Sequence, residues 1–346
     1  MAHSLALWGW TPLLEEQFAP FAEKGHLPGR VTLEYNQFLR VQTREGEVLA
    51  EVAGRLRYRA ESRAELPAVG DWVALRPIHG PEPPRIVAIL PRRSQFVRKV
   101  KGQRTDQQVI AANVDTVFLM TSLNLDFNLR RLERYLAIAL ESGARPVLLL
   151  TKADLSPDPA GPLAEASRLA ANLPCHSISA LADDPMAWRT PLEPYLIPGQ
   201  TIALIGSSGV GKSTLLNRLL GEDRQRVATI REVDDRGHHT TRHRELVLLP
   251  NQTLVLDTPG MREIQLWDLE DGVETVFDDI DHLAQGCRFR DCSHEREPGC
   301  AVQAAITAQS LSPARLDSYR KLQLELAALA RRKRDRKRPG RGPSTV

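Results

Sequence analysis

The sequence predicts an α/β core with a small β-barrel before it and a metal-binding, mainly helical segment after it. Three observations carry this prediction. A glycine-rich run at 206–213 lies between an apolar strand and an amphipathic helix, short alternating strands precede it, and three cysteines and one histidine cluster between residues 287 and 300. The predicted parts are an N-terminal extension at 1–28, a barrel at 29–97, the core at 98–272, a metal-binding segment with a C-terminal helix at 273–333 and a basic, disordered tail at 334–346.

The N-terminal third combines a helical lead segment with the barrel. Apolar residues recur at helical spacing near the start of the chain, namely at Leu13, Leu14, Phe18 and Phe21. From Gly29 onwards, alternating apolar stretches are separated by turns such as Arg44–Gly46. Several short strands at this spacing are typical of a small barrel. The alternation alone leaves an OB-fold and an SH3-like barrel both open.

The glycine-rich run matches a complete phosphate-binding loop. Its strand is Thr201–Ile205 and its helix is Thr214–Leu220, the context that this motif requires. Backbone N–H groups and the helix N-terminus favour phosphate, Lys212 reaches the β- and γ-phosphates, and Ser213 offers a hydroxyl to Mg²⁺. The alternative is a Gly/Ser-rich turn before a helix. The expected nucleotide-contacting residues of this run are Gly206, Ser207, Ser208, Gly209, Val210, Gly211, Lys212, Ser213 and Thr214.

Two downstream segments predict the rest of a magnesium and γ-phosphate site. A strand ends at Asp257, whose carboxylate can hold Mg²⁺ through water, and Gly260 can present its N–H to the γ-phosphate. Between this strand and the loop helix, residues 234–242 are polar and are predicted to form a loop. Thr241, chosen over Thr240, would join the Mg²⁺ shell when the γ-phosphate is present. A strand-end turn and an ordinary hairpin loop are the simpler alternatives.

Base selection is predicted from residues that come before the phosphate loop. Thr151–Asp154 follows an apolar strand, and Asp154 can accept the N1–H and N2–H₂ of guanine while the stem of Lys152 covers the base. GTPases usually carry Asn where Thr151 stands, so weaker contact to the base is expected. Ser179 and Ala180 follow the next apolar stretch and match a short element whose backbone meets guanine O6.

The cysteines predict a metal site and a reducing compartment. Cys287, Cys292, His294 and Cys300 supply a Cys₃His set, which is typical of a closed structural Zn²⁺ site. Buried structural cysteines beside a surface histidine are the alternative. Cys175 stands apart and is expected to be a small core residue. The start of the chain does not resemble a signal peptide, and no apolar run approaches a membrane span, so a cytoplasmic location is expected.

Charge is distributed unevenly along a chain whose net charge is +3. Residues 331–346 hold eight Lys or Arg and one Asp. A second basic run comprises Arg92, Arg93, Arg98, Lys99, Lys101 and Arg104. Such runs attract phosphate backbones, so structured RNA, met through shape and backbone contacts, is the favoured partner. The alternative for each run is a solvated surface without a partner.

The order of these motifs resembles that of the circularly permuted GTPases, because the base-reading segment precedes the phosphate loop. The Cys287–Cys300 segment narrows the resemblance to the ribosome small-subunit-dependent GTPase family, RsgA or YjeQ. This resemblance implies an OB-fold, a permuted P-loop GTPase core and a zinc-binding C-terminal domain. It also implies GTP hydrolysis stimulated by the small ribosomal subunit late in the maturation of that subunit. The expected ligands and partners are GTP or GDP, Mg²⁺, one Zn²⁺, and the small subunit with its rRNA. The chain is expected to be a cytoplasmic monomer.

The sequence lacks the glutamine that usually orients the attacking water in GTPases. Many GTPases have glutamine after the DxxG motif, whereas this chain has Met261. His239 is the candidate to position the water, since the resembling family carries a histidine there, and His238 competes with it. The catalytic set expected is therefore Lys212, His239 and Thr241. The alternatives are an RNA-binding assembly factor whose nucleotide only sets conformation, and an ATPase of similar fold if Thr151 spoils guanine selection.

Overall fold

The structure is a computed structural model that describes residues 5–35, 38–78, 82–99, 107–124, 127–169, 173–221, 244–257 and 276–337. The chain divides into two compact units. One comprises residues 1–135 and 142–265, and the other comprises 136–141 and 266–346.

A closed five-stranded barrel fills the first part of the chain. Its strands are β1 (Leu27–Tyr35), β2 (Phe38–Thr43), β3 (Gly46–Val52), β4 (Trp72–Arg76) and β5 (Arg85–Ile89). They pair in the order β1-β2-β3-β5-β4, and β4 returns to β1. Only β3 and β5 run parallel among these pairs. The small helix α2 (Gly54–Arg59) lies between β3 and β4 in the chain, as in an OB-fold. The prediction of a small barrel is confirmed.

The lead segment packs on this barrel. Helix α1 (Pro12–Ala22) begins with Thr11 as N-cap, whose hydroxyl accepts from the Leu14 N–H at 3.3 Å. Leu14 and Phe18 are buried in a cluster with Trp72 of the barrel. Leu13 does not join them, because it lies on the other side of the helix and is 54% exposed. The helical spacing of the sequence was therefore correct, but one of its four apolar residues faces solvent.

The core is a parallel sheet with helices. Its strands are β8 (Thr116–Ser122), β9 (Arg145–Thr151), β10 (Cys175–Ser177), β11 (Thr201–Gly206), β12 (Glu245–Leu248) and β13 (Leu254–Asp257). They lie in the order β10-β9-β8-β11-β13-β12, and β12 alone is antiparallel to its neighbour in this part. The helices are α3 (Leu129–Ser142), α4 (Ala160–Leu169), α5 (Pro185–Arg189) and α6 (Lys212–Leu220). Central strands such as β8 and β11 are buried along their whole length, which is usual when helices cover both faces.

One continuous sheet joins the barrel to the core. Strand β1 pairs with β12 through Leu33 and Glu245. Ion pairs flank this junction, with Arg244 3.0 Å from Glu34 and Arg40 3.7 Å from Glu245. A separate hairpin, β6 (Gln95–Lys99) and β7 (Gln107–Ala112), leads from the barrel into the core.

A buried arginine reinforces the same junction. Arg30 of β1 is 1% exposed, and its guanidinium donates to the carbonyls of Trp8, Gly70 and Asn113. It also donates to Thr201 Oγ1 at 2.7 Å, which reaches the first residue of β11. Burial lowers the pKa of Arg30 to about 10, so the side chain remains charged at neutral pH. A single cation thus connects the lead segment, the barrel and the central core strand.

Residues 276–337 of the second unit contain the helices α7 (Asp278–Ala284), α8 (Ala301–Thr307) and α9 (Pro313–Lys337). Arg315 of α9 forms two hydrogen bonds with Asp279 of α7, at 2.6 and 2.8 Å, and lies over the ring of Phe277. Helix α9 continues to Lys337, past the predicted end at 333, because no glycine or proline interrupts the chain before Pro339. The remainder of the predicted basic tail lies outside the described residues.

Candidate nucleotide site and metal centre

The phosphate loop follows β11 and opens α6, as predicted. Gly209 and Gly211 have φ values of 74° and 106°, a left-handed backbone that glycine adopts without strain. A side chain at Gly206 would place its Cβ 2.7 Å from the Met120 carbonyl of β8. Lys212 Nζ lies over the loop and donates to Gly206 O at 2.7 Å and Ser207 O at 2.5 Å. The loop therefore gathers backbone N–H groups, a helix N-terminus and an ammonium group in one place, which suits phosphate.

Thr151 connects the base-reading segment to this loop. It ends β9, is 3% exposed, and its hydroxyl donates to Val210 O at 2.6 Å. The same oxygen lies 3.3 Å from Thr121 O of β8. A buried hydroxyl with these partners acts as a link between two loops. This is a role that the sequence comparison with the usual Asn did not suggest.

Unlike buried Thr151, Asp154 lies in a short 3₁₀ turn, which follows Lys152 in a left-handed conformation with φ of 58°. Its side chain is exposed and makes no hydrogen bond with the described residues. The backbone next to Asp154 is fixed by a hydrogen bond, since the Ala153 N–H donates to Ile178 O at 3.2 Å. The carboxylate is therefore available to a ligand while its backbone is fixed.

Ser179–Leu181, the segment predicted to meet guanine O6, follows Ile178 directly in the chain. Ala180 O accepts from Arg218 Nε of α6 at 2.9 Å. Thus the two base-related segments are both hydrogen-bonded to the phosphate loop or to its helix. These bonds bring together three parts of the chain that the motifs assigned to one nucleotide. Arg218 had no motif to mark it, and an arginine near the end of an amphipathic helix carries no sequence signal for this contact.

The γ-phosphate side is described only in part. Strand β13 runs parallel to β11 with Leu256 opposite Ala203, so Asp257, the last residue of β13, lies in register with Leu204, two residues before β11 ends at Gly206. The expected Gly260 and the residues of the predicted loop, His238, His239, Thr240 and Thr241, lie outside the described residues, as does Met261. Their assignments stay predictions.

The four predicted metal ligands converge. One ligand atom from each of Cys287, Cys292, His294 and Cys300 lies within 4.8 Å of the others. Cys287 Sγ is 3.8 Å from Cys300 Sγ, and His294 Nδ1 is 3.6 and 3.5 Å from these two sulfurs. Zn–S and Zn–N bonds of about 2.3 and 2.0 Å in a tetrahedron separate the ligand atoms by about 3.5 to 3.8 Å. The cluster fits tetrahedral Zn²⁺.

The loop that carries these ligands is shaped by a carboxylate. Glu297 accepts hydrogen bonds from Ser293 Oγ and from the N–H groups of Ser293, Glu295 and Arg296. The hydrogen bonds from Ser293 hold the pKa of Glu297 down at about 2. His294 has a left-handed φ of 60°, and its carbonyl accepts from Arg320 of α9.

Cys175 lies in β10 and is absent from this cluster. Burial raises the pKa of its thiol.

Comparison with known proteins identifies the family. A family model described as RsgA GTPase matches residues 89–267. The chain belongs to the RsgA GTPase family. Among curated relatives, the small ribosomal subunit biogenesis GTPase RsgA of Opitutus terrae is 48% identical over 95% of this chain and 91% of its own length. The RsgA of Methanosarcina acetivorans is 44% identical over 92% of this chain and 84% of its own length.

Solved structures show the same fold. YjeQ from Thermotoga maritima aligns with a TM-score of 0.62 at 24% identity, covering 87% of this chain and 99% of that chain. YloQ, a circularly permuted GTPase, aligns with a TM-score of 0.60 at 22% identity, covering 91% of this chain and 97% of that one. The predicted permutation is confirmed, since β9 and the predicted base-reading residues that follow it precede β11 and the phosphate loop. As a member of the RsgA GTPase family, the chain is a GTP hydrolase that converts GTP to GDP.

None of the helices in the described part of the chain is long and apolar enough to cross a bilayer.

Proposed function

We propose that this GTPase binds the small ribosomal subunit and hydrolyses GTP late in the maturation of that subunit. Binding to the subunit stimulates the hydrolysis. The names of relatives that match more than nine tenths of the chain support this proposal. The observation that carries the nucleotide-binding part is the 2.6 Å hydrogen bond from Thr151 to Val210 O. It joins the base-reading segment to the phosphate loop and thereby builds one nucleotide site from residues in permuted order.

Each segment has a role in nucleotide binding under this proposal. The backbone of Gly206–Thr214 surrounds the phosphates, and Lys212 turns from the loop carbonyls to the β- and γ-phosphates. Asp154 accepts hydrogen bonds from guanine, Lys152 covers the base, and Ser179–Ala180 offers its backbone to O6. Thr151 holds this arrangement together without needing to touch the base.

The hydrolytic step would use residues beside the phosphate loop. Ser213 and Thr241 would supply hydroxyl ligands to Mg²⁺ and Asp257 would hold it through water, and the ion would supply positive charge beside the phosphates. The N–H of Gly260 donates to the γ-phosphate. His239 positions the attacking water because Met261 cannot do so. Docking on the subunit would complete this arrangement.

The Cys287, Cys292, His294 and Cys300 cluster would hold one structural Zn²⁺. With four protein ligands no position is left for substrate, so the ion stabilises a segment that has few apolar side chains. Treatment with a chelator should release one equivalent of zinc and reduce the helical circular dichroism. A Cys300→Ser variant should lose the metal, whereas Cys175→Ser should retain a full equivalent.

The remaining parts of the proposal concern the partner and the setting. Ribosomal RNA would be the chemical target, met by a cytoplasmic monomer through the barrel, the zinc segment and the tail at 334–346. The proposed functional boundaries are 29–97 for the barrel, 98–272 for the GTPase core and 273–333 for the zinc-binding part.

The test is GTP turnover with and without purified small subunits. Stimulation by the subunits is expected, and equal rates would reject the coupling. His239→Ala should lower the stimulated rate much more than GTP affinity, with His238→Ala as the matched control. If the protein sediments with subunits but shows no single-turnover hydrolysis in their presence, nucleotide only sets its conformation and the proposed activity is wrong.

A further inference from the structure

Helix α2 of the barrel carries a dense group of exposed cations around an exposed aromatic ring. Arg55, Arg57 and Arg59 lie within six residues and are all exposed, and Tyr58 between them is 92% exposed. Among the described residues, none of the three arginines forms an ion pair or a side-chain hydrogen bond. We name these four side chains the α2 surface.

The geometry of the helix presents most of these groups together. Leu56 is the residue that packs against the barrel core, and it fixes the orientation of the helix. Arg55, Tyr58 and Arg59 have the i, i+3 and i+4 spacing of neighbours on one helical face. The start of the helix is also anchored, since the Ala53 N–H donates to Ile86 O of β5 at 2.9 Å. Arg55, Tyr58 and Arg59 are therefore neighbours on the exposed side of a helix whose orientation is fixed.

Stability does not account for these residues. Cations near a helix C-terminus are favourable, which would suit Arg57 and Arg59, but Arg55 occupies the first turn, where the helix dipole opposes a cation. Tyr58 at 92% exposure buries almost none of its ring. Of the acids near α2 in the chain, Glu51 pairs with Arg85, and among the described residues neither Glu61 nor Glu65 forms an ion pair with these arginines. The helix thus exposes charge and aromatic surface that the fold itself does not use.

We propose that the α2 surface binds an unpaired segment of RNA, with a base stacked on Tyr58 and the adjoining phosphates on the arginines. Arginine suits phosphate oxygens through its fork of N–H donors, and stacking on aromatic rings is how proteins hold single-stranded bases. A membrane surface would favour the cations but would not require an isolated tyrosine between them. This inference rests on the proposed function, in which RNA of the small subunit is the target, and assigns one contact to a named surface.

Two variants separate the two contributions. Replacing Arg55, Arg57 and Arg59 by alanine should flatten the dependence of log Kd on log salt concentration by about 2, since each phosphate contact to single-stranded nucleic acid contributes about 0.7. Tyr58→Ala should weaken binding roughly tenfold with an unchanged salt slope, because stacking is not ionic. Tyr58→Phe keeps the ring and should bind as the parent does. All variants should keep the basal GTP turnover.

The measurements are anisotropy with a labelled twelve-nucleotide single-stranded RNA and cosedimentation with purified small subunits, both with the full chain. The matched control replaces the exposed arginines of α3, α4 and α5, Arg130, Arg168 and Arg189, by alanine and removes the same charge. Equal weakening by the control, or no weakening by the α2 variants, overturns the proposal. If the α2 variants weaken RNA binding while the parent protein never sediments with subunits, the surface stands and the ribosomal function fails.

Discussion

Arg92 and the arginines of α2 occur in similarly basic stretches of sequence, but their surroundings are opposite. Arg92 is largely buried and forms hydrogen bonds to both carboxylate oxygens of Asp71, each at 2.8 Å. It also donates to the carbonyls of Ala64 and Leu66 at 2.6 and 2.9 Å. Arg55, Arg57 and Arg59 have no such partners among the described residues. The first arginine stabilises the barrel, and the others face solvent.

The difference teaches that charge density along a chain does not measure free positive surface. Arg92 and Arg93 were grouped by sequence as part of an RNA-attracting run, yet Arg92 is paired with a fully buried aspartate and Arg93 lies 3.1 Å from Asp115. The positive potential expected there is therefore smaller than the sequence indicated. Conversely, the sequence does not mark α2 as a free positive surface, because three arginines in a short strand connection resemble any solvated turn.

The largest effect should come from breaking the buried pair. Burial raises the pKa of Asp71 while Arg92 lowers it, so an Arg92→Met variant leaves a buried carboxyl group without its cation. Removal of one partner of such a pair costs about 3–5 kcal/mol. The free energy of unfolding in urea should fall by this amount. The double variant Arg92→Met/Asp71→Asn should recover part of it, and equal stability of parent and single variant would refute the role given to this pair.

Arg30 is a second buried arginine with several hydrogen-bond partners, and its replacement should cause a smaller loss of stability. Arg30→Met would leave the Trp8 and Asn113 carbonyls and the Thr201 hydroxyl without their donor in a buried place. Each buried group left in this way costs about 1–3 kcal/mol, but removal of the buried cation also removes its desolvation cost, so a net loss of about 2 kcal/mol in unfolding free energy is expected. Arg44→Met is the control, since the Arg44–Glu15 pair is exposed and should matter little. An equal loss in both variants would contradict the assignment.

The same distinction between linking and exposed side chains applies in the nucleotide site. Thr151→Val removes the hydroxyl that bonds Val210 O and should weaken binding of GDP and GTP about fivefold, since such a bond contributes about 1 kcal/mol. Thr151→Ser keeps the hydroxyl and should bind nearly as the parent does.

Asp154→Asn, at an exposed position, should change the base preference of the nucleotide site from guanine towards xanthine. Calorimetric titration with GDP and xanthosine diphosphate measures both, and a change of base preference in Thr151→Val would oppose a purely linking role.

The smallest expected effect on stability belongs to the α2 surface. Exposed substitutions away from special contacts usually change stability by about 0.5 kcal/mol or less. The triple alanine variant of Arg55, Arg57 and Arg59 should therefore unfold at the same urea concentration as the parent. A loss comparable with that of Arg92→Met would show that these arginines stabilise the barrel, and the contrast between the two groups would disappear.

The parts of the fold that were predicted are those with strong local signals. The phosphate loop, the small barrel and the Cys₃His cluster follow from glycine spacing, from alternation and from ligand chemistry. The role of Thr151 was missed because its partner Val210 lies 59 residues away, and no local pattern reports such a contact. The same applies to Arg218 with Ala180 and to Arg30 with Thr201, where a distant backbone segment decides what a polar side chain does. Leu13 shows the reverse case, since helical spacing identified its helix but not which side would be covered.

The hydrogen bond between Arg30 and Thr201 spans 171 residues of chain. At translation rates of about 5–20 residues per second, Thr201 is synthesised about 10 to 30 s after Arg30. Strand β12, the partner of β1, is made later still. During that interval the guanidinium of Arg30 is hydrated on the side that later binds the Thr201 hydroxyl. Final desolvation of this cation, and with it the joining of barrel and core into one sheet, is therefore a late event in the life of each newly made chain.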